Sequence, residues 1–203
     1  GSEMCIRDSF KENETAKTAL ITLLSEEKVA PEAARALGRL GDPSGVGAMR
    51  PLLERDDTDL RKRAVRALGQ IETPEATALL FAASRDKNAE VALRAALELV
   101  SRSRLEALAI LQDSLAKEEN REMIRRLLKE FEISRVLSPL MERLEKAKNS
   151  KELILILEVL GHTGLADFRA PVDAAFREYR ELAFKWLRWW KATYGQDAAL
   201  NKK

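Results

Sequence analysis

The octapeptide ALGRLGDP, Ala36 to Pro43, returns as ALGQIETP at Ala67 to Pro74, thirty-one positions later. The same offset carries Leu37 onto Leu68 and Leu99, Gly38 onto Gly69, and Leu60 onto Val91. Each unit holds two apolar patterns at helical spacing. Leu60, Ala64, Leu68 and Ile71 form the first; after a Gly-containing break and a Pro or Asp start signal, Thr77, Leu80 and Ala83 form the second. This is a helix, a tight turn and a helix. Neither helix can bury its stripe alone, so the units must stack, and a fixed period of this length is the sequence mark of a solenoid.

Within the repeat, small Ala33, Ala36, Ala64 and Ala67 let neighbouring helices approach, while Leu37 and Leu68 fill the layer between them. Gly38 and Gly69 are expected to relax the end of each first helix. Pro43 and Pro74 are expected to begin each second helix, where a missing N–H costs nothing. The periodicity predicts one helix near residues 12 to 24 and then five hairpins, at 30 to 55, 58 to 84, 89 to 117, 120 to 147 and 151 to about 193.

Over AARALGRLGDPSGVGAMRPLLERDDTDLRKRAVRALGQIETPEA the chain resembles the short HEAT repeats associated with phycobilin lyases. The likeness is fullest over Pro31 to Ala83, continues through Leu115, is faint from Glu119 to Lys148, and returns in LEVLGHTG at Leu157 to Gly164. It implies an all-α, right-handed α-solenoid of stacked antiparallel helical hairpins, about eleven helices in a single domain over residues 10–203. It also implies that Arg61, in the inter-repeat turn DDTDLR, ties neighbouring turns together.

Residues 1–9 are set apart. Gly1 and Ser2 resemble the scar of tag removal, and MCIRDS at Met4 to Ser9 resembles a translated sequencing adaptor. The expectation is a metagenomic gene lacking its true start, with upstream repeats and any signal peptide missing. An apolar face on the first helix, Ala16, Leu20, Ile21 and Leu24, would then be open to self-association.

Composition narrows the chemistry. Of 203 residues, 45% are hydrophobic, 33% charged and only 5% aromatic, a balance that favours helices. The net charge of +2 provides no overall field toward nucleic acid or an anionic membrane. Apolar runs such as LILIL at Leu153 to Leu157 are far too short to span a bilayer. The single Cys5 excludes an internal disulfide and gives only a weak lean toward a reducing, cytoplasmic setting, a lean that carries no information if residues 4–9 come from an adaptor; with the single His162 it makes a transition-metal site an unsupported reading.

No nucleophile, base and orienting group share a register, so neither catalytic residues, a metal nor a cofactor is expected. His162 falls in GHTG, read as a turn. Asp56, Asp57, Glu118 and Glu119 sit at helix boundaries, where capping and the helix dipole favour acids. GDPSGVG, Gly41 to Gly47, lacks the Gly-Lys-Ser/Thr ending of a phosphate loop and follows a helix instead of a strand.

Two surfaces remain as binding candidates. In HEAT proteins the second helices line the concave face, and the thirty-one-residue register places Arg50, Phe81, Gln112 and Arg143 on one ridge there, with Glu54, Arg85, Ala116 and Ala147 beside it. Gly47, Ala78, Ala109 and Leu140 would lie at the closest approach. The second surface is C-terminal, where eight of the eleven aromatics fall between Phe168 and Tyr194. Phe176, Tyr179, Ala183, Trp186 and Trp190 make one helical stripe, read as a capping helix over about 171–193. With Trp189 and the neighbouring Arg and Lys residues, Trp186 and Trp190 also offer an aromatic, basic surface for a peptide, nucleic-acid strand or sugar. FKWLRWWKATYG resembles the Trp-rich endings of some bacterial HEAT proteins.

The ridges carry three basic residues and one acid, so a protein or peptide suits them better than a phosphate backbone. The expected function is therefore a non-enzymatic protein-binding scaffold. The alternatives are a phycobilin-lyase-like enzyme subunit, which rests on the repeat type alone, and a HEAT-like DNA-binding or base-excision protein. For the last, Asp113 lies on a suitable helix but lacks an aromatic neighbour at helical spacing.

Overall fold

A computed structural model describes residues 14–40, 42–115, 117–130, 133–147, 150–163 and 176–194. The tag and adaptor assignment of residues 1–9, Cys5 included, lies outside them, as does Phe168. Among the described residues the chain is all-helical. The helices are α1 (14–23), α2 (Ala30–Arg39), α3 (Gly45–Leu53), α4 (Thr58–Leu68), α5 (Pro74–Ala83), α6 (Ala89–Ser101), α7 (Leu108–Leu115), α8 (Glu118–Glu130), α9 (Ile133–Lys146), α10 (Ser150–Thr163) and α11 (Phe176–Tyr194). They follow the lone helix and five hairpins read from the periodicity, and they pack as neighbouring pairs in the manner of a helical-repeat solenoid.

Contacts divide the chain into two compact units, Gly1–Ala95 and Ala96–Lys203, with the division inside α6. In the first unit α2 packs on α3 and α4, α3 on α4 and α5, and α4 on α5. Ala33, Ala34 and Leu37 of α2 and their thirty-one-residue partners Ala64, Val65 and Leu68 of α4 are all buried. The alanines permit close approach. A Cβ built on Gly45 would stand 2.6 Å from the Cβ of Ala34, so α3 can lie on α2 only because both positions are small.

The glycines of the repeated octapeptide serve differently from the expectation. Gly38 lies inside α2, and a Cβ there would meet Cγ1 of Ile71 at 2.7 Å and the carbonyl oxygen of Gln70 at 2.9 Å. Gly69 has φ −60° and ψ −18°, ordinary right-handed backbone. Thus Gly38 is dictated by tight packing against the next turn, and neither residue relaxes a helix end by adopting positive φ. The prolines divide. Pro74 is the first residue of α5, after Thr73, whose hydroxyl accepts from the N–H of Ala76. Pro43 precedes α3 by two residues, in a turn where the Asp42 carboxylate accepts from the N–H and hydroxyl of Ser44.

Arg61 joins consecutive turns. Its side chain is 2% exposed; Nε donates to Oδ2 of Asp86 at 2.8 Å, Nη2 to Oδ1 of the same residue at 3.1 Å, and Nη1 to the carbonyl of Arg55 at 2.7 Å. Asp86 also accepts from the N–H of Asn88, and Asp57 caps α4 by accepting from the N–H groups of Asp59 and Leu60. Further pairs repeat along the stack: Arg55 with Glu27, Arg63 with Glu32, and Lys87 with Asp56.

In the second unit α10 packs on α7, α8, α9 and α11, and α11 also packs on α9. Here the register departs from the expectation. Buried Ala107, in the short 3-10 turn before α7, and Leu108 and Leu111 of α7 correspond to buried Leu140, Met141 and Leu144 of α9, thirty-three positions on instead of thirty-one. Two residues have entered the fourth repeat, where the sequence likeness is faint. α10 also continues through Thr163, so His162 falls in its last turn and not in the expected loop.

Candidate binding ridge

The second helices of the first unit present one continuous outer face. On α3 it holds Gly47, Arg50, Pro51 and Glu54, and on α5 Ala78, Ala82 and Arg85, all exposed, with half-buried Phe81 among them. The opposite stripes, Gly45, Met49 and Leu52 on α3 and Ala76, Leu80 and Ala83 on α5, are buried, which fixes the direction of both helices. Gly47 has open space where a Cβ would project. The small residues keep this face low, and Phe81 is the only aromatic on it among the described residues. Arg50, Glu54 and Arg85 make no ion pair or hydrogen bond through their side chains among the described residues. Three charged groups without an ion-pair or side-chain hydrogen-bond partner among the described residues thus flank one half-buried ring.

The remaining ridge positions belong to the second unit and sit differently. Ala109, Gln112 and Asp113 of α7 are exposed, but the Gln112 amide donates to the Glu158 carboxylate of α10. Its hydrogen-bonding capacity is directed at a neighbouring helix. Arg143 is exposed and lines a surface cavity of about 200 Å³ with Ser103, Pro139, Glu142 and Lys146. Leu140, expected at the closest approach, is instead 1% exposed, because the two extra residues rotate α9 and turn that position into the core. Ala147 is buried, and the side chain of Ala116 lies outside the described residues.

The C-terminal aromatics separate by face. Trp186 is 0% exposed and Trp190 is buried, with Ala183 and Leu182, along the inner side of α11. Trp190 stacks on Tyr194 at 4.6 Å, and half-buried Trp189 meets Trp186 edge-on at 5.3 Å. Arg177, Lys185, Arg188 and Lys191 are on the wet side, with Lys191 reaching Glu145 of α9 at 3.2 Å. Phe184, one of the eight clustered aromatics but outside the capping stripe, is exposed, as its spacing from Trp186 and Trp190 requires. At the other end of the chain Ile21 is 45% exposed, Leu23, Val29 and Leu40 are exposed, and Leu20 and Leu24 are half-buried.

Electrostatics away from the ridge is structural. The Arg63 guanidinium, hydrogen-bonded to Glu32, holds that carboxyl below its ordinary range. The Ser44 hydroxyl does the same to Asp42, Lys87 to Asp56, and Lys62 to Asp59. Each of these acids stands in a turn or on a first helix. Among the described residues no three His, Cys, Asp or Glu side chains gather around a point that could hold a metal ion, and no helix is long and apolar enough to cross a membrane.

The sequence profile of HEAT repeats matches residues 17–101 and again 48–130, together more than half of the chain. The chain belongs to the HEAT-repeat family. The two overlapping HEAT matches take in α2 to α8, and hence the whole α3–α5 face; α9 to α11 lie beyond them. No curated protein matches the chain.

Proposed function

We propose that this HEAT-repeat protein is a non-enzymatic scaffold that binds a protein segment across the exposed face of α3 and α5. The observation that supports this reading is Phe81, a half-buried ring on a low face flanked by Arg50, Glu54 and Arg85, whose charges have no partner among the described residues. Interface energy concentrates in a few such anchors surrounded by polar contacts. Gly47 and Ala78 leave room for an approaching backbone. The mixed charge of the face selects against a plain phosphate backbone, whose affinity grows with the number of cations that displace its counterions.

The reading is tested by selecting peptides from a random displayed library on the full chain and titrating the winners against it and against Phe81→Ala. Loss of about 2 kcal/mol of affinity in the variant, with an unchanged melting temperature, is the expected result. Selected peptides that bind the variant as tightly as the parent would refute the ridge. A large drop in melting temperature would make Phe81 a packing residue.

A further inference from the structure

The outer face of α11 lies outside the HEAT matches, and it carries the most exposed large apolar side chain among the described residues. Phe184 is 60% exposed. At roughly 100° per residue, Phe184 points almost directly away from the buried stripe of Leu182, Ala183, Trp186 and Trp190. It is therefore not part of the packing that holds α11 in place.

Around it, Arg177, Glu181 and Arg188 share the same outward stripe, and Lys185 stands beside it. Arg177 is engaged by Glu181, Nε to Oε1 at 3.2 Å, and Lys191 by Glu145. Lys185 and Arg188 make no ion pair or hydrogen bond through their side chains among the described residues. Glu181, Phe184, Lys185 and Arg188 together line one open patch on the outer side of α11.

We infer that this face is a second docking surface, for an acidic protein segment that seats an apolar side chain against Phe184 and carboxylates against Lys185 and Arg188. Charge complementarity decides the occupant. Two free cations next to an exposed ring suit carboxylates flanking an apolar residue. A nucleic-acid strand needs a longer row of cations than these two to gain from counterion release. The inference does not depend on the α3–α5 ridge, which shares no residue with it.

The test uses a fluorescein-labelled peptide, Glu-Glu-Leu-Leu-Glu-Glu, titrated with the full chain by fluorescence anisotropy. Saturable binding is expected, weakened by salt and absent for a Glu-Glu-Ser-Ser-Glu-Glu control. Phe184→Ala should weaken it about thirtyfold, and Lys185→Glu with Arg188→Glu should abolish it. These side chains are exposed, so circular dichroism should show every variant folded. Phe81→Ala should bind the peptide like the parent, which separates this surface from the first. No binding by the parent, equal binding of the serine control, or undiminished binding by the α11 variants would each overturn the inference. So would a labelled oligothymidylate that binds this face when the acidic peptide does not.

Discussion

Arg61 shows how much one side chain can organise. It is buried, and its guanidinium supplies both the bidentate partner of Asp86 and a donor to the Arg55 carbonyl. Removing it leaves a carboxylate with little access to water and no counter-charge. Arg61→Ala should therefore cost about 3 to 5 kcal/mol in chemical denaturation. Arg61→Lys should recover little, since an ammonium cannot span both carboxylate oxygens and the carbonyl. A lysine variant as stable as the parent would show that charge alone matters. Glu32 acts at the same scale but nearer water. Its carboxyl is held below its ordinary value of 4.5 by the hydrogen bond from Arg63. A depressed folded-state pKa contributes stability that is whole above the unfolded value and is lost as pH falls through the folded one. Arg63 stays charged throughout. The gap in melting temperature between the parent and Glu32→Gln should be widest near neutral pH and close on acidification below about pH 4. A gap independent of pH would place the effect of Glu32 elsewhere.

Among the elements, α11 has two faces with opposite duties. Its inner face seats Trp186 and Trp190, and the fully buried Trp186 is among the largest side chains in the core. Trp186→Ala and Trp190→Ala should each destabilise the protein by about 3 to 5 kcal/mol, while Phe184→Ala should leave the melting temperature within about a degree of the parent. If either tryptophan variant melts like the parent, that ring is not holding the helix. α3 makes the complementary point about local dictation. Its approach to α2 depends on Gly45 facing Ala34, a requirement set by a 2.6 Å separation and not by any helix propensity.

At the scale of the whole molecule, a stack of repeats couples mainly between neighbours, so local damage should stay local. Hydrogen exchange read on two variants checks this. Arg61→Ala should lower protection in α2 to α5 and spare α9 to α11, and Trp186→Ala should do the reverse. Uniform loss of protection in both variants would mean that the chain unfolds as one cooperative block.

The helices themselves were legible because a thirty-one-residue period repeats the same buried alanines and leucines, and periodicity survives without knowledge of neighbours. The exposed face of α3 and α5 was legible for the same reason: once Met49 and Leu80 are known to face inward, Arg50 and Phe81 must lie toward the other side. Where the period failed, the sequence could not supply the phase. Leu140 turned inward because two residues entered the fourth repeat, and an insertion changes the direction of every later side chain without changing any propensity. Gly38 and Gly45 are small because of atoms on other segments, Ile71 and Ala34, which no local window contains. Gln112 found Glu158 across 46 positions. Sequence by itself determined which residues form helices and which stripe of each must be covered, since that follows from local spacing and hydrophobicity. Only the tertiary structure decided which exposed side chains keep their hydrogen bonds inside the fold and which, like Arg50, Arg85, Lys185 and Arg188, make none among the described residues, because that depends on distances between segments far apart in the chain.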